Sequence, residues 1–169
     1  MTEERKYTRV EKIGSIEIRK YEACVLADVV VNSEYRTAGN IGFRPLVSYI
    51  SQNQIAMTAP VIQEEKVAGS WTVSFVMPAD KNIDNLPIPA NSKVSLRESR
   101  EHYAAALRFA GITSGPRVKE KERILREALT QLGIKAKGKV QLARFNPPWT
   151  PGFLRHNEVI LEIEYQPSH

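Results

Sequence analysis

The chain has 169 residues with 24 Lys and Arg against 19 Asp and Glu, a net charge of +5, and 42% hydrophobic residues, which suits one domain spanning 1–169 with a single core. The charge is uneven: Lys93 to Arg144 holds 13 basic and 5 acidic residues, an excess that suits an acidic ligand but is too mild to signal nucleic acid. Cys24 is the only cysteine, which excludes an internal disulfide and multi-cysteine zinc sites. With no signal-peptide run and no stretch near the roughly 20 apolar residues of a membrane span, it reads as a reduced, cytoplasmic chain with no membrane partner.

Ile16 to Tyr21 and Cys24 to Val31 read as strands. Phe43, Leu46, Val47 and Ile50 then recur at helical spacing, and Pro45 fits a first turn, so a short helix is expected from about Phe43 to Ser51. Ile55 to Gln63 is a strand candidate, and Trp71, Val73, Phe75 and Met77 alternate along the next. The aperiodic, Pro- and Asn-marked stretch Pro78 to Asn91 reads as a loop. Lys93 to Ser99 and the alternating Tyr103, Ala105, Leu107 and Phe109 are again strands. A second helix is expected over Val118 to Leu132, with Leu125, Ala128, Leu129 and Leu132 on one stripe, Gly115-Pro116 at its start and Gly133 past its end. Lys139 to Phe145 and Glu158 to Tyr165 close the set as strands, joined through the stiff, aromatic loop Asn146 to Phe153. The order, strand-strand-helix and three strands, then strand-helix-strand-strand, gives two similar halves. It predicts an α+β fold with two helices on a curved antiparallel sheet or distorted barrel.

The chemistry of catalysis is missing from this pattern. There is no nucleophile elbow, phosphate-binding glycine loop or zinc-protease helix. Cys24 sits in an apolar strand as a packed thiol, and the histidines, His102, His156 and His169, lie too far apart to request a metal. No catalytic or metal residue is assigned. A ligand-binding reading remains: apolar and aromatic side chains to cover a flat ligand, and arginines to hold its acid groups. Tyr49, Met57, Trp149 and Phe153 supply the first need, and Arg36, Arg44, Arg144 and Arg155 the second.

Several motifs, in order from Ile16 to Tyr165, resemble the SOUL haem-binding family: Ile16-Glu-Ile-Arg-Lys-Tyr21, Gly42-Phe-Arg-Pro-Leu46, Met57-Thr-Ala-Pro-Val61, Val73-Ser-Phe-Val-Met-Pro78, Ala143-Arg-Phe-Asn-Pro-Pro-Trp149 and Asn157-Glu-Val159. The chain is identified as a bacterial-type member. The resemblance implies a distorted β-barrel of two pseudo-symmetric halves, similar to small-molecule-binding effector domains. It further implies that haem or a related porphyrin binds in an apolar groove beside the first helix, for transfer or buffering and without catalysis. Cofactor contacts are accordingly assigned to Arg36, Arg44, Tyr49, Met57, Arg144, Trp149, Phe153 and His156. His156 stands where the family usually has Arg. An axial histidine from the first helix is excluded, since Asn32 to Gln54 contains none. The alternatives are a small-molecule sensor or protein-interaction module without haem and, behind it, a porphyrin enzyme that would need His156 or Glu162.

Overall fold

The computed structural model describes residues 2–147 and 149–167. Two short strands open the chain, β1 (Glu3–Glu4) and β2 (Tyr7–Ile13), followed by β3 (Ile16–Tyr21) and β4 (Cys24–Asn32). Helix α1 (Tyr35–Gln52) leads to β5 (Thr58–Ala59), β6 (Val61–Val67), β7 (Ser70–Val76) and β8 (Val94–Ser99). The second half runs β9 (His102–Ala110), α2 (Gly115–Gln131), β10 (Lys135–Arg144) and β11 (His156–Glu164), with a 3-10 turn at Gly152–Leu154 between the last two. Nine strands form one antiparallel sheet in the order β2-β3-β9-β11-β10-β6-β7-β4-β8, while β1 pairs in parallel with β5.

This is the α+β half-barrel that the element order predicts, and its symmetry can be read from the sheet. Moving outward from the central pair, one half runs β6-β7-β4-β8 and the other β10-β11-β9-β3. Each half is therefore a strand, a helix and a hairpin, β4-α1-β6-β7 against β9-α2-β10-β11. The fourth strand of each half is exchanged: β3, which precedes β4, pairs with β9, and β8, which precedes β9, pairs with β4. Neither half is complete without the other.

Both helices lie on one face of the sheet, each over its own half. Alternation sends Val25, Ala27, Val29, Val31, Val73 and Phe75 to meet Ala38, Leu46, Tyr49 and Ile50 of α1. Ile16, Ile18, Leu107, Val159 and Leu161 meet Val118, Leu125 and Leu129 of α2 in the same way.

Strands β1 and β2 are absent from the sequence expectation, and three expected elements differ from it. Helix α1 begins eight residues before Phe43, which leaves Gly39, Gly42 and Pro45 inside it, against propensities that disfavour all three. Tertiary packing overrides them: a Cβ on Gly42 would lie 2.7 Å from the Cβ and Cγ2 of Val73, so the glycine lets the helix sit directly on the sheet. The strand expected over Ile55 to Gln63 is interrupted at Pro60, which has no N–H for the ladder and follows a cis peptide bond. Helix α2 starts at Gly115 rather than Val118, because the Ser114 hydroxyl accepts from the Arg117 N–H and caps the first turn.

Candidate functional site

The sheet's two halves meet where β10 pairs with β6, with Leu142 opposite Gln63 and Arg144 opposite Val61. Leu142 packs in the core under α2, so the alternate residues Val140, Leu142 and Arg144, and with them Gln63, face the helix side. The two helices leave this seam partly uncovered. The gap is a cleft of about 660 Å³, walled by Tyr35, Gln63, Trp71, Val118, Val140 and Leu142, within the roughly 300–1,000 Å³ of small-molecule sites.

The pseudo-symmetry explains why the walls are aromatic at one end. It brings the amino-terminal ends of the two helices together, so that a Cβ on Gly115 would lie 3.7 Å from the Tyr35 ring. The Tyr35 ring meets Trp71 edge-on at 5.2 Å between centroids, and its hydroxyl donates to the Thr113 carbonyl at 2.6 Å. Burial pushes the Tyr35 hydroxyl pKa up, Arg144 pulling the other way, so the group stays a neutral donor. At the rim stand Glu34, Glu65 and Glu122 with Lys119 and Lys139. Glu122 is held by Arg126 at 2.8 Å, and Glu65 accepts from the Gly69 N–H.

Behind Tyr35 and Gln63 lies Arg144. Its Nη1 donates to Gln63 Oε1 at 2.7 Å, its Nη2 to the Tyr35 hydroxyl at 3.2 Å and its Nε to Thr113 Oγ1 at 3.2 Å. Every one of these partners is neutral. No described carboxylate reaches its guanidinium; desolvation, together with the nearby charge of Arg155, lowers its pKa. A guanidinium has five N–H groups and remains protonated in proteins, so this cation is charged, half-buried and short of a counter-ion. Gly39 makes room for it, since a Cβ there would lie 3.2 Å from Gln63 Oε1 and 3.4 Å from Arg144 Nη1.

The other residues expected from the sequence are dispersed. Arg36 and Arg44 are exposed on α1 and form no ion pair with a described residue. Tyr49 is fixed in the first-half core, its hydroxyl donating to the Pro87 carbonyl at 2.6 Å. Met57 is exposed between α1 and β5, and Trp149 and Phe153 stand 81% and 80% exposed on the β10–β11 loop. None of them lines the cleft. His156 stacks on Phe145 at 4.2 Å and its Nε2 lies 3.1 Å from Glu158. It belongs to the sheet face away from the helices, as does His102, which stacks on Tyr21. His169 lies outside the described residues. The sequence reading missed Tyr35, Gln63, Trp71 and Thr113 as site residues. Gln63 is followed in β6 by Glu64, Glu65 and Lys66, so its polarity gave no local signal that it is buried at a site.

On that opposite face, Arg19 grips Glu158 with two hydrogen bonds, at 2.6 and 2.8 Å, and also donates to the Tyr21 hydroxyl. These groups are saturated by one another and serve the fold. Burial pushes the Cys24 thiol pKa up, Arg5 opposing it, which leaves a protonated, packed thiol. Among the described residues no group of three His, Cys, Asp or Glu side chains is placed to hold a metal ion, and no helix is long and apolar enough to cross a membrane.

A curled sheet under two helices, with an open seam between pseudo-symmetric halves, defines an α+β half-barrel with a central cleft. The chain belongs to the SOUL heme-binding protein family, whose sequence pattern matches residues 2–162; the family is described by binding and not by a reaction. No curated protein matches the sequence. Solved structures share the fold at low identity. The EcmrR C-terminal domain has a TM-score of 0.70 at 9% identity, covering 95% of this chain and 99% of its own. A Listeria innocua protein described as a hydrolase has 0.62 at 11%, covering 89% and 92%. SAV2435 bound to tetraphenylphosphonium has 0.54 at 7%, covering 94% of each chain.

Proposed function

We propose that the protein binds a planar, largely apolar ligand bearing carboxylates, a tetrapyrrole of the haem type, at the seam cleft, and that it carries or buffers this ligand in the cytoplasm without transforming it. The observation that carries this reading is Arg144: a half-buried guanidinium whose partners are all neutral. A propionate would supply the missing charge. The apolar and aromatic walls, Tyr35, Trp71, Val140 and Leu142, would take the macrocycle, and Lys119 or Lys139 at the rim could meet a second carboxylate.

Neither His102 nor His156 faces the cleft, so affinity would rest on macrocycle burial and charge-assisted hydrogen bonds. When bound, the haem would supply an iron centre that the described residues leave without a dedicated protein ligand.

A haemin titration followed through its Soret band tests this reading. Wild type should saturate at one equivalent, and Arg144→Met should weaken binding about ten- to a hundredfold, the worth of a hydrogen-bonded charge. Unsaturable uptake, or equal affinity in the variant, overturns it. A second reading is favoured by the three rim carboxylates, Glu34, Glu65 and Glu122: the cleft would take an aromatic cation instead, as part of a small-molecule sensor. Saturable binding of tetraphenylphosphonium, weakened by Glu34→Gln and untouched by Arg144→Met, would select it.

A further inference from the structure

The β10–β11 loop exposes more apolar surface than a packed loop needs. Trp149 is 81% exposed, Phe153 80% and Leu154 61%, and Ile112, 66% exposed, approaches them across the β9–α2 turn, where a Cβ on Gly152 would lie 3.7 Å from its Cγ1. Large apolar side chains grouped at a surface mark an interaction site. The charges nearest to them in sequence are of one sign. From Arg108 to Lys119 and from Arg144 to Asn157 the sequence holds five Lys and Arg and not one Asp or Glu. Arg117 lies against this turn, its Nη2 donating to the Ala110 carbonyl at 2.7 Å, and Arg155 follows Leu154 directly.

We propose that this end of the sheet docks peripherally on an anionic lipid bilayer. Trp149, Phe153 and Leu154 would insert at the headgroup level, while Arg117 and Arg155 pair with lipid phosphates. Aromatic and leucine side chains ringed by basic ones match the amphipathic character of that interface. Prolines at 147 and 151 stiffen the loop, so the rings are presented with little ordering cost. Docking of this kind needs no spanning segment. It revises the expectation that the chain has no membrane partner, and it stands independently of the cleft's ligand.

The test is co-sedimentation of the ligand-free full chain with vesicles of phosphatidylcholine alone or with added phosphatidylglycerol. Two basic side chains, each contributing about fivefold near an anionic leaflet, predict roughly twenty-five-fold tighter binding to the anionic vesicles, weakened by salt. Trp149→Ser with Phe153→Ser should abolish it; both sites are exposed, so folding should be kept, as circular dichroism would show. Haemin affinity of the double variant should equal wild type. Absence of vesicle binding, equal binding to both vesicles, or binding unchanged in the double variant overturns the proposal. So does a wild-type dimer that the double variant dissolves, which would show a second copy covering the patch, or a loss of haemin affinity, which would assign the rings to the ligand.

Discussion

In the first half of the sheet the helix is pressed against its strands, and Gly42 has no room for a methyl group over Val73; in the second, α2 buries the side chains of Val118, Leu125 and Leu129 instead. The outer faces differ as well. The exposed face of α2 is laced by Arg123 with Glu120 and Glu127 and by Arg126 with Glu122, pairs that support a helix locally. Helix α1 has no such pairs among the described residues and starts at Glu34 without a side-chain cap, so it depends on its sheet. On the far side of the sheet each half carries an arginine–carboxylate pair. In the second half it is sealed, the Arg19 and Glu158 side chains being 4% and 3% exposed. In the first it is open on one side, with Arg97 40% exposed and Asp28 9%. Two halves of one topology thus distribute their stability differently, and the seam between them is left open.

The largest effect should come from the sealed pair. Burial by itself would raise the Glu158 pKa, but hydrogen bonds from Arg19 and His156 outweigh it and hold it at about 2. A folded pKa below the unfolded one adds stability that is full above about pH 5 and is lost as the pH falls toward 2. Glu158→Gln leaves the buried Arg19 with only the partly exposed Glu17 carboxylate, 2.8 Å away, and should cost about 3 kcal/mol, the low end of the range for breaking a buried pair, in urea unfolding at neutral pH, with a flatter acid dependence. Asp28→Asn, in the open pair, keeps the hydrogen bond from Ser74 Oγ at 2.5 Å and should cost only about 1–2 kcal/mol. Equal costs would break the comparison.

Gly42→Ala sharpens it at the helices. On an exposed helix this exchange would gain up to about 1 kcal/mol. Here the new methyl meets Val73 at 2.7 Å, and the overpacking should reverse the sign to a loss of about 1–3 kcal/mol. Gly42→Ala with Val73→Ala should recover part of the loss if the contact is its cause, which a double-mutant cycle reads directly.

The same contrast explains what the sequence revealed. Helix α2 announces itself through the stripe Leu125, Ala128, Leu129 and Leu132, because it makes its own amphipathic pattern. The first eight residues of α1 do not, since the glycines that suit tertiary contact are those that local propensity rejects. Strand β2 was invisible: nearly every residue of Tyr7–Ile13 is exposed, so no burial alternation marks it. The duplicated topology was legible from element order, but the exchange of β3 and β8 was not, because pairing across halves leaves no local trace. Among the contacts assigned from the sequence, Arg144 is the one found beside the cleft. What gathers around it, Tyr35, Gln63 and Thr113, comes from three separate elements, a convergence that only the folded chain creates.

The smallest effect on stability is expected at Arg144, and it tests whether this arginine is a binding residue, as proposed, or a structural one. Arg19 and Arg144 are both arginines withdrawn from water in the same sheet, yet Arg19 has its carboxylate and Arg144 has none. Burying a charge without a counter-charge costs free energy, so replacing it with an apolar side chain of similar length removes that cost. The same change forfeits three hydrogen bonds to neutral groups, worth together a few kcal/mol at most. Tyr35 keeps its bond to the Thr113 carbonyl. The two contributions nearly cancel, and Arg144→Met in the ligand-free protein should unfold within about 1 kcal/mol of wild type in urea. With haemin present the two should diverge, because ligand stabilises only the state that binds it, and wild type should gain more than the variant. A loss of several kcal/mol without ligand, like that expected for Glu158→Gln, would make Arg144 a second structural arginine and remove the contrast on which its binding role rests.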